Sequence, residues 1–472
     1  MKRIIIDFPE SGPQEYTYSG SGRILKMSYF RRTISLFNPL ENQKISITFD
    51  NSQGHWSQVL SGNDRYLKDR EIQVFENDTL IGKIKVSDFP KPKSVHEFTI
   101  KGDMYSFLNN PISYRIGDVF ENVPPENEGK RANVFCGTVT DEFWTNTGQL
   151  TAYQIEAGKY LAAWHHCFNI SSVYQNGAPI LYTWQNEGDG YCYIYPVEAI
   201  DDSEITFNGS GMMESSILIE NAGEMLSKIK NDFGAGIEIE GILPTQYEKF
   251  KKTVVVLNDQ TWKQAINEFN TNFDTFFYMS VNGKIKAVYL DFEGNIPVTK
   301  KFLPGVISGY ELHPDISSLL TEAERNYCFH FQNNSYRYSH TSKIETGWTA
   351  DTKPIDLRFH TDSLSAHTTV CQKIFRQRDI IKHISFKTIR DELPQVDLLG
   401  QLFSLTYSYG LSKNENRTYL CIEIAHSGAN EYSIRGIDIY PLIKNTIILL
   451  SESDPDVAIL TNKTDPECLL LM

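Results

Sequence analysis

Two stretches of this chain, more than three hundred residues apart, spell nearly the same strand. One reads Glu97-Phe98-Thr99-Ile100-Lys101-Gly102, the other Glu431-Tyr432-Ser433-Ile434-Arg435-Gly436. Each exchange preserves chemical type: aromatic for aromatic, hydroxyl for hydroxyl, cation for cation. Both follow a hairpin-like segment. The first follows "EIQVFENDTLIGKIKV" (Glu71–Val86), two apolar runs around a polar turn, and the second follows "TYLCIEIAHSG" (Thr418–Gly428). A chain that repeats a hairpin and its next strand is constrained to build one small sheet twice.

The neighbouring segments carry the same grammar. "KISITFDN" places Ile45, Ile47 and Phe49 on one face and Ser46, Thr48 and Asp50 on the other, the period-two pattern of a half-buried strand. "RILKMSYFRR" near the start, and "NYCFHF", "HISFKTI" and "LFSLTYSYG" near the end, read as further strands. Aromatic residues make up 12% of the chain, which favours strands over helices.

Helical spacing appears only between and inside these strand-rich ends. "SSILIENAGEMLSKIKNDFG" sets Leu218, Ala222, Met225, Leu226, Ile229 and Phe233 on one stripe, with Ser215 or Ser216 as the expected cap and Gly234 as the stop. "NDQTWKQAINEFN" puts Trp262, Ala265, Ile266 and Phe269 on one face, with Asn258 as the expected cap. A third helix is expected over "SLSAHTTVCQKIFRQ". Asn282-Gly283 and Asn176-Gly177 are expected to form type I′ hairpin turns.

The fold class expected is mainly β with an α+β middle: two small β-barrels flanking mixed α+β insert domains. The boundaries expected are 1–112 for the first barrel and 113–210 for a β-rich domain with a return segment at about 295–325. Residues 211–294 form an α+β domain, 326–445 the second barrel and 446–472 a C-terminal tail.

Charge and cysteine usage narrow the function. The formal net charge of −14 argues against a duplex-gripping protein, which needs a basic face to displace counterions. Seven cysteines at scattered spacings, none as CxxC, read as buried thiols of a reducing compartment. The N-terminal "MKRIIIDF" has too short an apolar run for a signal peptide, and no stretch reaches the length of a membrane span. A soluble protein made in a cytoplasm is expected.

Motifs of catalysis are sparse. Adjacent His165 and His166 in "WHHC" (Trp164–Cys167) would point to opposite faces of a strand, so they are poorly placed to share a metal ion. The acidic groups Asp141-Glu142, Asp201-Asp202 and Asp291 with Glu293 read as solvated loop acids rather than a glycosidase pair. "GSG" at Gly209–Gly211 stands before the expected helix, whose N-terminus is a place to hold an anion, but a flexible connector is the simpler reading. No catalytic, cofactor-binding or metal-ligating residue is assigned, no cofactor is expected, and the chain is expected not to be an enzyme.

The order of these segments resembles that of the baseplate, or tail-tip, hub proteins of tailed bacteriophages. The segments that carry the resemblance are "KISITFDNSQGHWSQVL", "REIQVFENDTLIGKIKVSDFP", "ITFNGSG" with the helix after it, "TWKQAINEFNTNFDTFFYMSVNGKIKAVYL", "SLSAHTTVCQKIFRQRDIIKHISFKT" and "QVDLLGQLFSLTYSYG". They cover about residues 20–445. Gln401 stands where the family often has Asp, so that turn is atypical.

The resemblance implies two tail-tube-like barrels per chain and a homotrimer. Three chains with two barrels each would then present a pseudo-six-fold ring to the tail tube and keep three-fold symmetry at the tip. It implies a structural role in the virion, at the tail tip, after synthesis in the host bacterial cytoplasm. The partners implied are the tail tube or a distal tail protein, the tape measure protein, and a spike or central fibre. DNA would pass through during ejection without specific binding, and an acidic channel wall would repel phosphate and let the duplex slide. The alternatives are a distal tail adaptor and a non-enzymatic carbohydrate-binding protein. The latter would use the aromatic residues of "TWQNEGDGYCYIY" (Thr183–Tyr195), although aromatic residues there serve a strand core equally well.

Overall fold

The computed structural model describes residues 2–470 apart from 21, 29, 35–39, 41–42, 62–65, 77, 89–90, 93–95, 143–144, 199–203, 235–236, 242–252, 274, 290–297, 316–318, 344–351, 378–380, 394–396, 410–411, 429–430, 440–446, 450–459 and 463–464. The expected acidic groups Asp201-Asp202 and Asp291 with Glu293, and much of the expected tail, lie outside the described residues.

The protein is mainly β. The N-terminal elements are β1 (Lys2–Phe8), β2 (Gly12–Thr17), β3 (Ile24–Met27), β4 (Arg31–Thr33), β5 (Lys44–Asp50), α1 (His55–Val59), β6 (Glu71–Glu76), β7 (Thr79–Val86), β8 (Lys91–Pro92) and β9 (Glu97–Asp103). The middle holds β10 (Leu150–Glu156), β11 (Lys159–Ala163), β12 (Cys167–Gln175), β13 (Tyr182–Asn186), β14 (Cys192–Pro196), β15 (Glu204–Glu214), α2 (Ala222–Phe233) and α3 (Trp262–Phe273). Then come β16 (Val298–Phe302), β17 (Ile307–Asp315), β18 (Glu322–His330), β19 (Ser335–Lys343), β20 (Lys353–Leu357) and α4 (Ser363–Gln377). The last elements used below are β21 (Ile381–Ile389), β22 (Leu402–Tyr409), β23 (Ser412–Gly428) and β24 (Glu431–Asp438).

The chain divides into two compact units. One holds Met1–Asn109, Phe276–Ser318 and Ile380–Ile443; the other holds Asn110–Thr275, Leu319–Asp379 and Lys444–Met472. The first unit contains both copies of the repeated strand. Its first sheet runs β2-β1-β6-β7-β9-β5-β3, and its second runs β16-β22-β23-β24-β21-β17.

Both sheets curl until their edges meet. Only residues 303–306 join β16 to β17, which stand at opposite ends of the ladder. Such a link spans at most roughly 17 Å, whereas a flat ladder at about 4.8 Å per strand would hold the two about 24 Å apart. Ring contacts show the closure directly. Phe302 of β16 packs edge-on against Phe386 of β21 at 5.1 Å between centroids. In the first sheet Tyr16 of β2 meets Phe49 of β5 at 5.6 Å, and Trp56 of α1 fills the space between them. The first turn of α1 is held by Asn51, whose Oδ1 accepts from the Trp56 and Ser57 amides, so the strand-to-helix turn aims the Trp56 ring inward.

In the second unit the main sheet runs, short strands aside, β12-β15-β10-β11-β14-β13 over a core that includes Leu150, Tyr160, Ile170, Ile194 and Phe207. A separate sheet, β19-β18-β20, is covered by α4 through Ala323, Tyr327, Leu357, Val370 and Ile374. Residues 326–379, expected within the second barrel, therefore lie in the second unit, because α4 buries its apolar stripe on β18 instead of β21. The expected return segment instead supplies β16 and β17, the two edge strands of the second sheet.

Several local expectations change. Ser215 and Ser216 sit in a left-handed turn after β15, and α2 begins later, capped by Asn221, whose Oδ1 accepts from the Gly223 amide at 2.8 Å. The start of α3 is capped by Thr261 and Gln264, which bond reciprocally, while Asn258 is used to hold Asn133. The turn at Asn176-Gly177 has both residues left-handed, as the type I′ expectation requires; at Asn282-Gly283 only the glycine is.

Candidate functional site at the joint between the two like sheets

With β2, which adds to the outer side of β1, and the short β8 set aside, six strands of each sheet, numbered by order along the chain, occupy the ladder as 1-4-5-6-3-2. In the first sheet they are β1, β3, β5, β6, β7 and β9; in the second, β16, β17, β21, β22, β23 and β24. The match extends to register. Ile45 faces Gly102 and Ile47 faces Ile100, while Ile384 faces Gly436 and Phe386 faces Ile434. Glu71 pairs with Lys85 and Val74 with Gly82; Leu402 pairs with Leu420 and Leu405 with Arg417. One difference stands out: β1 runs antiparallel to β6, whereas β16 runs parallel to β22.

The turn that enters the hairpin is also duplicated, bond for bond. In the first sheet Arg70 N donates to Leu67 O, Asp69 N to Val86 O and Val86 N to Arg70 O. In the second, Gln401 N donates to Leu398 O, Gly400 N to Cys421 O and Cys421 N to Gln401 O. Asp69 and Gly400, at matching places, both take left-handed backbone angles, with φ of 65° and 75°. The sequence hides this match, because Asp and Gly reach that region for different reasons.

Each sheet has a hairpin end, where β6 turns into β7 or β22 into β23, and an open end, where the loop between the third and fourth strands lies. Within the chain, the hairpin end of the first sheet sits on the open end of the second. Glu76 at the hairpin tip accepts from His426 Nε2 at 2.5 Å and from the Tyr432 hydroxyl, and all three groups are buried. Burial and the Glu76 carboxylate push the Tyr432 hydroxyl pKa upward. A cavity of about 90 Å³ between Thr79, Leu80 and Ile81 on one side and Leu393, Leu398 and Ile424 on the other marks the seam.

A strap crosses the seam. β4 leaves the first sheet and adds to the edge of β23, with Arg31 opposite Ala425 and Thr33 opposite Glu423. Flanking backbone bonds extend the pairing, from Ile34 N to Ile422 O and from His426 N to Phe30 O. Arg32 on the strap forms a two-pronged pair with Asp397, at 2.6 and 3.0 Å, with both side chains nearly fully buried. The Phe30 ring lies against Gly82, in space that a Cβ would occupy. Nothing in the sequence pattern pointed to Arg32, Glu76, Asp397 or His426, whose partners are hundreds of residues away.

The residues weighed from sequence are spread over other places. His165 is buried; its Nε2 accepts from the Phe135 amide at 3.1 Å and its Nδ1 donates to the His166 carbonyl at 2.9 Å. His166 is held instead by the Glu187 carbonyl. Their ring nitrogens thus serve separate backbone groups, and no group of three potential metal ligands occurs among the described residues. Asp141 accepts from Tyr174 and Asn208 across the sheet. Gly209 and Gly211 do not stand at the N-terminus of α2; they lie inside β15, where the missing side chains let it pass close to the backbones of Asn169 and Phe135. The aromatic segment from Thr183 to Tyr195 forms β13 and β14. Tyr193 is buried under Lys159, and the Tyr195 hydroxyl bonds Glu187, whose carboxyl is lowered to about 2 by Tyr195 and Lys159. Six described cysteines are free and buried. No helix among the described residues is long and apolar enough to cross a membrane.

No family model and no curated relative matches this sequence. Solved structures align along nearly the whole chain. Prophage tail protein gp18 of Listeria monocytogenes EGD-e shares 9% identity, with 93% of this chain and 94% of that one covered, at a TM-score of 0.45. The 43 kDa tail protein of prophage MuSo2 from Shewanella oneidensis shares 7%, with 94% and 98% covered, at 0.42. The tail protein from Neisseria meningitidis MC58 shares 9%, with 93% and 96% covered, at 0.39. All three are tail proteins.

Proposed function

We propose that this chain is a structural hub of a phage tail tip, a homotrimer that adapts a six-fold tail tube to a three-fold tip and lines the channel through which DNA leaves. One observation carries the reading: one chain holds two sheets that share the order of six strands, joined hairpin end to open end. A head-to-tail contact between like modules leaves one end of each free, so copies add on until a ring closes or a filament grows. Three chains of two modules make a ring of six similar positions.

The role is positional and needs no catalysis. The partners that fit are the tail tube or a distal tail protein on the six-fold side, a spike or central fibre on the three-fold side, and the tape measure protein in the channel. The formal charge of −14 suits a wall that DNA passes without sticking.

Native mass spectrometry, on the chain alone and with tail-tube protein, tests the reading. The expected result is a species three times 54.0 kDa, seen as an annulus with six similar lobes by electron microscopy. A chain that stays monomeric under both conditions refutes it.

A further inference from the structure

The small sheet β19-β18-β20 of the second unit separates its charges by face. Alternation along β18 sends Glu322 and Glu324 to the face away from α4, where Glu322 meets Lys343 at 3.7 Å and Glu324 accepts from the Ser339 hydroxyl at 2.6 Å. Asp356 of β20 lies on the same face and accepts from Asn326 at 2.9 Å. The other face carries Arg325 between Ala323 and Tyr327, under α4, and α4 contains no acidic residue. Asp362, just before that helix, is turned to its cap and accepts from the Ser365 amide at 2.8 Å. Arg325 thus stands in a cleft whose walls bring it no carboxylate, and it forms no ion pair among the described residues.

We infer that this cleft binds a carboxylate group, gripped side-on by the Arg325 guanidinium beside His340. The site is independent of the assembly proposed above.

The guanidinium is already oriented for such a ligand. Its Nη1 donates to the Ser342 hydroxyl at 3.3 Å and to His367 Nδ1, so β19 and α4 together fix its plane. The Nε–H bonds nothing, and Nη2 makes no bond among the described residues. Those two donors lie along one edge of the group, spaced to meet the two oxygens of a planar carboxylate. Burial pushes the Arg325 pKa down, as it does for a cation drawn partly out of water.

His340 stands directly opposite Arg325 on β19, which is an edge of the sheet. It is exposed, and its ring stacks on Tyr327 at 6.0 Å between centroids. The cleft is therefore reached from the β19 side, with an imidazole at its mouth as a further hydrogen-bond donor. Charge decides the ligand class. On this side the face offers one fixed positive charge, which one carboxylate cancels and a phosphate dianion would exceed. Two sources supply that chemistry: a free carboxylic acid, or an acidic side chain of a second copy of this chain, whose 59 acidic residues outnumber its 45 lysines and arginines.

Fluorine NMR with trifluoroacetate as the probe tests the site on the full chain at constant ionic strength. The expected result is a line that wild type broadens and added acetate sharpens again, and that Arg325→Met leaves sharp. Arg325→Lys, which keeps the charge without the fork, is expected to bind about tenfold more weakly. No broadening by wild type, or equal broadening by wild type and both variants, overturns the site. Phosphate that sharpens the line at a lower concentration than acetate overturns the carboxylate assignment. With the site present, a signal per chain that fades as wild type is concentrated assigns the natural carboxylate to a second copy, and a constant one assigns it to a free acid.

Discussion

His165 shows how a residue that looks like chemistry becomes structure. Both ring nitrogens are spent on backbone groups, and burial lowers its pKa to about 4 by penalising the charged form. In the unfolded chain the same imidazole titrates near 6.5. Between those values the unfolded state binds a proton that the folded state refuses, so stability is full above about pH 6.5 and falls as pH drops toward 4. For this residue alone the loss amounts to about 3 kcal/mol at the acid limit. His360 and His383 are shifted downward by burial as well and add to the same trend. Urea midpoints measured from pH 7 to pH 4.5 are expected to fall more steeply for the wild type than for His165→Gln. Parallel curves would show that the proton is not excluded at this site.

At the scale of elements, the repeated Gly102 and Gly436 explain why the two strands are spelled alike. Each glycine stands where a neighbouring strand's side chain lies across the ladder. A Cβ on Gly102 would come within 2.7 Å of the Ile84 terminal methyl; one on Gly436 would come within 2.6 Å of the Phe403 ring. The methyl swings aside, but the ring is locked among Phe302, Phe386 and Tyr419. Gly436→Ala is therefore expected to cost about 2–3 kcal/mol and Gly102→Ala about 1 kcal/mol, within the usual range for overpacking. Gly188→Ala, with open space around it, serves as the neutral reference in the same denaturation series. Strand identity and the duplicated hairpin were legible in sequence because inward and outward residues alternate and the glycine must recur. The left-handed turn at Asp69 and Gly400 was not, since two residue types meet one backbone demand. Nor was the placement of residues 326–379, because "NYCFHF" reports a strand with a buried face and not the sheet that buries it.

The whole molecule depends on contacts that no local pattern encodes. Arg32 and Asp397 are separated by 365 residues, yet their buried pair pins the strap that binds the first sheet to the second. Removing one member leaves the other as an uncompensated charge away from water, a penalty of about 3–5 kcal/mol, whereas replacing both with apolar side chains of similar size is often close to neutral. Arg32→Ala is thus expected to lose about that much by urea denaturation, and Arg32→Met with Asp397→Leu to regain most of it. If the chain assembles as proposed above, oligomer state separates the pair's two roles. If the ion pair only stabilises, the restored double variant assembles as the wild type does. If its fork also fixes the angle between the sheets, the double variant is stable but its ring closes poorly, because a head-to-tail assembly closes only when every joint turns through the same angle. Hydrogen exchange at the β4 amides then tells whether the strap still holds: protection equal to wild type assigns any failure to close to the angle, and lost protection assigns it to a detached strap.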